Sequence, residues 1–299
     1  MKSPPSTTTV FLISFVNVSA ISKAAQTLNY AQSNVTNKIQ QLENDLQTKL
    51  FYRHSRGITL TPPGQILVSY SEKILHTIEE ARAAMGESSA PSGPLRIGSM
   101  ETTAAVWLPQ LLAHYNNLYP NVDLNLVTGP TEQQIQAVLH YELNGAFISG
   151  PIEHPDLVQE KVLDEEMVLV TSASHPVISS IQDVQTQTML VFRKGCSYRA
   201  KLNHILQEEG LLPIKLMEFG ILEAIIGCVS AGLGISLLPR SIIASHEKEG
   251  RIRSHTISDK YSFVSTMFIR RKDTLITPAL SAFLTHMRDH FQVKRPDQS

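Results

Sequence analysis

Between Ser19 and Phe51 the apolar positions recur at helical spacing in two separate runs. Ala24, Ala25 and Leu28 form one, and Val35, Ile39, Leu42 and Leu46 form the other. Each follows the i, i+4, i+7 rhythm of one helix face. The segment Asn29–Ser33 between them has room only for a turn. Ser19 or Ser22 would cap the first helix, and Ser33 or Asn34 the second. The pair predicts a helix-turn-helix. Its polar face carries Gln32, Ser33, Asn34, Thr36, Asn37 and Lys38, whose amides, hydroxyls and ammonium suit base edges and phosphates in a major groove. A helical hairpin packed into a core would show the same spacing. Upstream, Val10–Val18 reads as one more helix with Leu12, Phe15 and Val16 inward. Ser14 and Asn17 interrupt it, and it is too short to span a membrane.

The pattern then changes period. Leu50–Thr61 reads as strand, basic turn and strand, with Gly57 easing the turn, Ile58 and Leu60 on one face, and Arg53 and Arg56 at the tip. Such a wing reaches phosphates or a minor groove. Thr61 is placed to cap the next helix and Pro62 to open it. There Ile66, Tyr70, Ile74, Ile78, Ala81 and Met85 recur at spacings of four and three. The stripe predicts a coiled-coil seam between two copies of the chain, with packing against its own winged domain as the alternative. Gly86–Pro94 is small, polar and helix-breaking, and marks a linker.

Beyond it, strands alternate with helices. Strands are expected at Leu95–Gly98, Val122–Val127, Ala146–Ile148, Met167–Val170, Met189–Phe192, Lys215–Phe219, Ile235–Leu238 and Tyr261–Ile269. Helices are expected at about Thr102–Tyr119, Glu132–Tyr141, Tyr198–Glu209, Leu222–Ala231, Pro239–His246 and Thr277–Phe291. This alternation predicts an α/β sheet with crossover helices. Ligands in such sheets bind beyond the strand C-termini, often at helix N-termini. Two hydroxyl-rich turns have that placing: Gly98–Thr103, with Ser99, Met100, Glu101, Thr102 and Thr103, and Arg193–Arg199, with Lys194, Cys196, Ser197 and Arg199. Ordinary helix caps with no ligand would look the same.

The segments AAQTL, SNVTNKIQQLEN and LFYRHSRGITLTPPG, in that order, resemble the winged helix of the LysR-type transcriptional regulators. The order of elements after the linker resembles the effector domain of the same family, so the likeness covers almost the whole chain. It implies an α/β fold of three parts: a winged helix-turn-helix over 1–62, a linker and dimerisation helix over 63–94, and a two-lobed, periplasmic-binding-protein-like effector domain over 95–299. Lobe one would take about 95–164 and 268–299, and lobe two about 165–267. The resemblance implies a small-molecule effector between the two hydroxyl-rich turns, with Gly129, Thr131, Ser149, Phe219 and Ile221 in supporting turns. It also implies a double-stranded DNA operator with an interrupted dyad, a homodimer or homotetramer, and contact with RNA polymerase.

Composition adjusts this picture in three ways. Over 299 residues the net charge is −1, yet residues 1–62 carry six Lys and Arg against Glu43 and Asp45, leaving the rest at −5. A basic head on an acidic body fits nucleic-acid contact at one end. Lys194 and Arg199, set against Glu101, favour an anionic effector. Two cysteines, Cys196 and Cys228, are too few for a disulfide scaffold and suit a reducing cytoplasm. Lys194 and Arg199 near Cys196 leave a redox sensor open as an alternative. A solute-binding protein with a merely structural helix-turn-helix is the other alternative. His286 and His290 have metal-pair spacing without a third ligand, and Ala231–Gly234 precedes a strand rather than opening a helix as a dinucleotide turn would. No P-loop, HExxH or GxSxG is present, so neither an enzyme nor a cofactor is expected.

Overall fold

A computed structural model describes residues 32–54, 57–85, 90–211 and 215–293. The chain divides into two compact units, the first holding residues before Ser89 and the second nearly all that follow.

In the first unit, α1 (Gln32–Asp45) buries Val35, Ile39 and Leu42. Ser33 and Asn34, expected as caps, already lie within the described helix, so neither is the cap. Leu46 does not join the apolar face. The helix ends at Asp45, Gln47 takes a left-handed φ of 51°, and Leu46 is 45 % exposed. Glu43 has a larger role than its charge suggested. Its buried carboxylate accepts the N–H groups of Leu50 at 2.9 Å and Phe51 at 3.3 Å, tying α1 to the start of the wing. The upstream helices expected at Val10–Val18 and before Asn29 lie outside the described residues.

The wing is an antiparallel hairpin of β1 (Phe51–His54) and β2 (Gly57–Leu60), with Phe51 opposite Leu60. Helix α2 (Pro62–Met85) follows. Thr61 caps it as expected: its hydroxyl accepts Gly64 N–H at 3.1 Å and donates to Lys49 O at 2.7 Å. Gly64 is obligatory, since a Cβ there would stand 2.2 Å from Leu50 O. Val68 packs into the core under the wing, whereas Ile66, Tyr70 and Ile74 are exposed. The side chains of Ala81 and Met85 lie outside the described part.

The second unit is built on a mixed sheet ordered β10-β6-β11-β5-β3-β4, with β9 also pairing with β6. Strand β3 (Gly93–Ser99) runs parallel to β4 (Val122–Thr128) and β5 (Gly145–Gly150). Gly93 and Pro94, expected in the linker, are its first residues. Strand β6 (Leu157–Ser172) is far longer than Met167–Val170, because its first half is mostly half-exposed or exposed, with only Leu157 and Val162 buried, rather than running apolar. It pairs antiparallel with β11 (Phe263–Arg271), β9 (Ser236–Pro239) and β10 (Ile252–Thr256). Strands β7 (Thr188–Phe192) and β8 (Lys215–Phe219) form a separate parallel pair.

The single helix expected over Thr102–Tyr119 is two: α3 (Glu101–Val106) and α4 (Leu108–Leu118), meeting at Trp107. Pro109 has no N–H to donate to Ala105, so the ladder breaks there. The remaining α-helices among the described residues are α5 (Thr131–Leu139), α6 (Ser197–Glu208), α7 (Leu222–Ser230), α8 (Arg240–Lys248) and α9 (Pro278–Val293). The two largest apolar clusters of this unit define two lobes. One gathers Leu95, Leu108, Tyr115, Phe147, Phe268 and Phe283 around α4 and α9. The other gathers Met167, Leu190, Leu202, Ile225, Leu238 and Ile243 around α6, α7 and α8. Strands β6 and β11 run through both.

Candidate functional site

Two strand ends deliver the pieces of one cavity. In the first lobe β3 finishes at Ser99, Met100 N–H donates to Phe147 O, and α3 begins at Glu101. In the second, β7 finishes at Phe192 and α6 begins after Cys196. Between them lies a cavity of about 260 Å³. Its first-lobe wall is Met100, Glu101, Thr102, Gly129, Pro130, Thr131 and Gln133. Its second-lobe wall is Phe192, Arg193, Lys194, Cys196, Ser197, Tyr198 and Gly220. At its base Tyr198 OH stands 3.0 Å from Thr102 Oγ1 across the two lobes. Burial pushes the Tyr198 hydroxyl well above its ordinary value, and the Glu165 carboxylate adds to this.

Of the effector residues expected from sequence, Met100, Glu101, Thr102, Gly129, Thr131, Cys196 and Ser197 line this space. The others do not. Ser99 is fully buried and its hydroxyl donates to Met100 O at 2.9 Å. Thr103 is fully buried as well, because it sits on the inner face of α3. Ser149 stands behind the wall, its N–H donating to Thr131 Oγ1 at 3.3 Å. Phe219 packs against the second core, leaving Gly220 on the wall, and Ile221 is mostly exposed.

The electrostatics differ from the expectation in one respect. Arg199 lies a turn into α6, where its guanidinium pairs with Glu218 and donates to Phe192 O at 3.1 Å. Its charge is matched, and it faces a neighbouring open groove that Lys194 and Glu132 also line. The cation that sequence reasoning passed over is Arg193, which lies against Gly220 on the cavity wall. Neither Arg193 nor Lys194 has an ion-pair partner among the described residues.

Cys196 is not activated by its basic neighbours. Burial pushes its thiol up, against the pull of nearby backbone N–H groups and of Arg199. Cys228 is half-buried in α7 against the second core. His286 packs edge-on against His114 at 4.7 Å, and among the described residues no group of three or more metal-ligating side chains occurs.

In the first unit, Gln32 opens α1, with Ser33, Asn34 and Asn37 exposed on it and Thr36 and Lys38 half-buried. Arg53 is exposed on β1; Arg56 lies outside the described residues. Among the described residues no helix is long and apolar enough to cross a membrane.

Two family models match the chain in succession. One is the bacterial regulatory helix-turn-helix protein, lysR family, over residues 11–65; the other is the LysR substrate binding domain over residues 88–292. The transcriptional regulator GltR of Bacillus subtilis is 99 % identical over 280 residues, covering 94 % of this chain and 95 % of that protein. The regulator CzcR of Bacillus cereus is 47 % identical over 276 residues, covering 92 % and 93 %. Among solved structures, a full-length OxyR variant from Pseudomonas aeruginosa superposes with a TM-score of 0.74 at 21 % identity, over 98 % of this chain and 96 % of that one. Full-length CbnR in complex with its target DNA superposes with a TM-score of 0.66 at 22 % identity, over 94 % and 99 %.

Proposed function

Since the chain belongs to the LysR family of bacterial helix-turn-helix transcriptional regulators, we propose that it is controlled by a small anionic molecule held in the cavity between its lobes. The observation that carries this reading is the pair Arg193 and Lys194. Two cations without ion-pair partners among the described residues face one carboxylate, Glu101, on the wall of one half-open cavity. A guanidinium there grips a carboxylate or phosphate in bidentate fashion. The start of α6 at Ser197 adds the positive end of a helix dipole. Thr131, whose Oγ1 accepts Ser149 N–H and keeps its own proton, and Ser197 supply hydroxyls from opposite lobes, so a bound anion favours the arrangement in which the lobes stand close.

The same reading assigns the ends of the machine. The α1 residues Gln32, Ser33, Asn34, Thr36, Asn37 and Lys38 read base edges, and Arg53 and Arg56 hold phosphates, on a double-stranded operator with an interrupted dyad. The solved CbnR complex holds that protein on its target DNA, which supports this assignment. The exposed Ile66, Tyr70 and Ile74 of α2 form a seam with a second copy, in a homodimer or homotetramer. The protein works in the cytoplasm and touches RNA polymerase at its promoters.

A gel shift on the DNA flanking the chain's own gene, run with and without a mixture of organic acids, tests the proposal. The acids are expected to change the mobility or affinity of the specific complex. An operator complex indifferent to every acid, yet altered by neutral metabolites, contradicts it.

A further inference from the structure

Glu165 stands on β6 opposite Val264 of β11, on the two strands that run through both lobes. It is 3 % exposed. Among the described residues it forms no ion pair, and its side-chain partners are three neutral donors drawn from both lobes. From the first lobe, Trp107 at the α3–α4 break donates its indole Nε1–H to Oε1 at 2.9 Å. From the second, Ser241 in the first turn of α8 donates to the same oxygen at 2.8 Å, and Tyr198 of α6 donates to Oε2 at 3.3 Å. Tyr198 spends its single proton on a group that only accepts, so at its 3.0 Å contact Thr102 is the donor. The result is one directed chain from the cavity floor, Thr102 to Tyr198 to Glu165, ending where Trp107 and α8 are also fastened.

We propose that Glu165 is a positioning residue that sets the angle between the lobes and links it to the state of the cavity. Each lobe is fastened to the same carboxylate. Any rotation of one lobe against the other therefore stretches at least one of these bonds and leaves a buried donor unpaired, which is costly. A ligand that draws the Thr102 hydroxyl away from Tyr198, or presses on the Tyr198 ring edge, acts on this carboxylate through Tyr198. Neighbouring Glu166 fastens α8 a second time, through a two-pronged pair with Arg240, so α8 follows β6 as a rigid piece.

This last link to ligand rests on the anion-cavity reading; the bridge itself does not, and it is tested without ligand. Trp107 is the only tryptophan of the chain, so fluorotryptophan incorporation gives the full-length protein one fluorine NMR signal, at the end of the bridge. Tyr198→Phe and Ser241→Ala leave the Trp107–Glu165 bond untouched and remove one other member each. Both are expected to shift the Trp107 signal, or to split it into two states, in the direction that Glu165→Gln shifts it. Should Glu165→Gln fold poorly, the two milder variants still decide. If both keep the signal at the wild-type position, the Trp107–Glu165 bond is a local contact and the bridge is refuted. A shifted signal in a protein that no acid affects would retain the bridge and discard the anion reading.

Discussion

Arg193 lies flat across Gly220: a Cβ on Gly220 would stand 2.7 Å from the guanidinium Nη2 and 2.9 Å from Cζ. The absence of a side chain at 220 is what lets the arginine rest on the cavity wall. Gly220→Ala is thus expected to push the guanidinium aside at little cost in folding, within about 0.5 kcal/mol, since the displaced atoms are the end of a flexible chain. Acid binding should weaken by about tenfold or more, the loss of one charge-assisted contact of about 1.5 kcal/mol. Calorimetric titration with an active acid, alongside urea unfolding, separates the two effects.

On the proposed DNA side, Asn34 is exposed on α1 and Arg53 is exposed on β1. Asn34→Ala should relax sequence preference, costing about 1–3 kcal/mol on the specific site if its amide makes a bidentate base contact. Arg53→Ala should weaken all sequences alike and flatten the salt dependence. Gel shifts on operator and scrambled DNA at several salt concentrations check the division. Equal losses of specific and non-specific binding in both variants would remove it.

Ile74 is 46 % exposed on α2 in the single chain. A charge placed in a helix–helix seam must be desolvated. Ile74→Glu is therefore expected to shift sedimentation toward a monomer and to abolish operator binding, which on the proposed dyad operator needs two half-sites held at fixed spacing. A variant that remains dimeric with full affinity would deny that Ile74 lies in the seam.

His255 supplies a pH signature in the second lobe. Its Nδ1 accepts Ile178 N–H at 3.2 Å and its Nε2 meets Thr171 Oγ1 at 3.0 Å, so the neutral ring is the one that fits. Burial, followed by Arg253 and His175, holds it below the ordinary histidine value, with Glu247 opposing. The folded value is lower, so the unfolded chain takes up the proton first as pH falls. The stability is fully present above the ordinary value of 6.5 and is lost as pH falls through it toward the folded value. The melting temperature should fall more steeply from about pH 7 to about pH 5 in the wild type than in His255→Gln. Parallel profiles would mean that His255 carries no such linkage.

Much of this molecule was legible in its sequence, for reasons that differ from part to part. The winged unit announces itself because Val35, Ile39 and Leu42 keep strict helical spacing and Thr61-Pro62-Pro63-Gly64 combines a cap, an opener and a close approach. The cavity turns were visible as hydroxyl clusters at strand ends. What escaped depends on where side chains go after the backbone is set. Arg193 and Arg199 are equal in sequence. Only the start of α6 decides that Arg199 turns toward Glu218 while Arg193 stays on the wall. The α3–α4 break was signalled by Pro109, which an unbroken apolar run around it concealed. Glu165 left a trace too: on β6 it shares the face of Leu163 and Met167, a charged residue at a core parity, inside an acidic run that reads as solvated.

The most direct test of the anion cavity is a thermal-shift titration of wild type and Arg193→Ala with organic acids and with their neutral amides. Ligand binding to the native state raises the melting temperature by mass action. At least one acid should stabilise the wild type, its amide should not, and Arg193→Ala should lose the response. Stabilisation by amides alone, or an Arg193→Ala protein that responds to the acid like the wild type, would contradict the account.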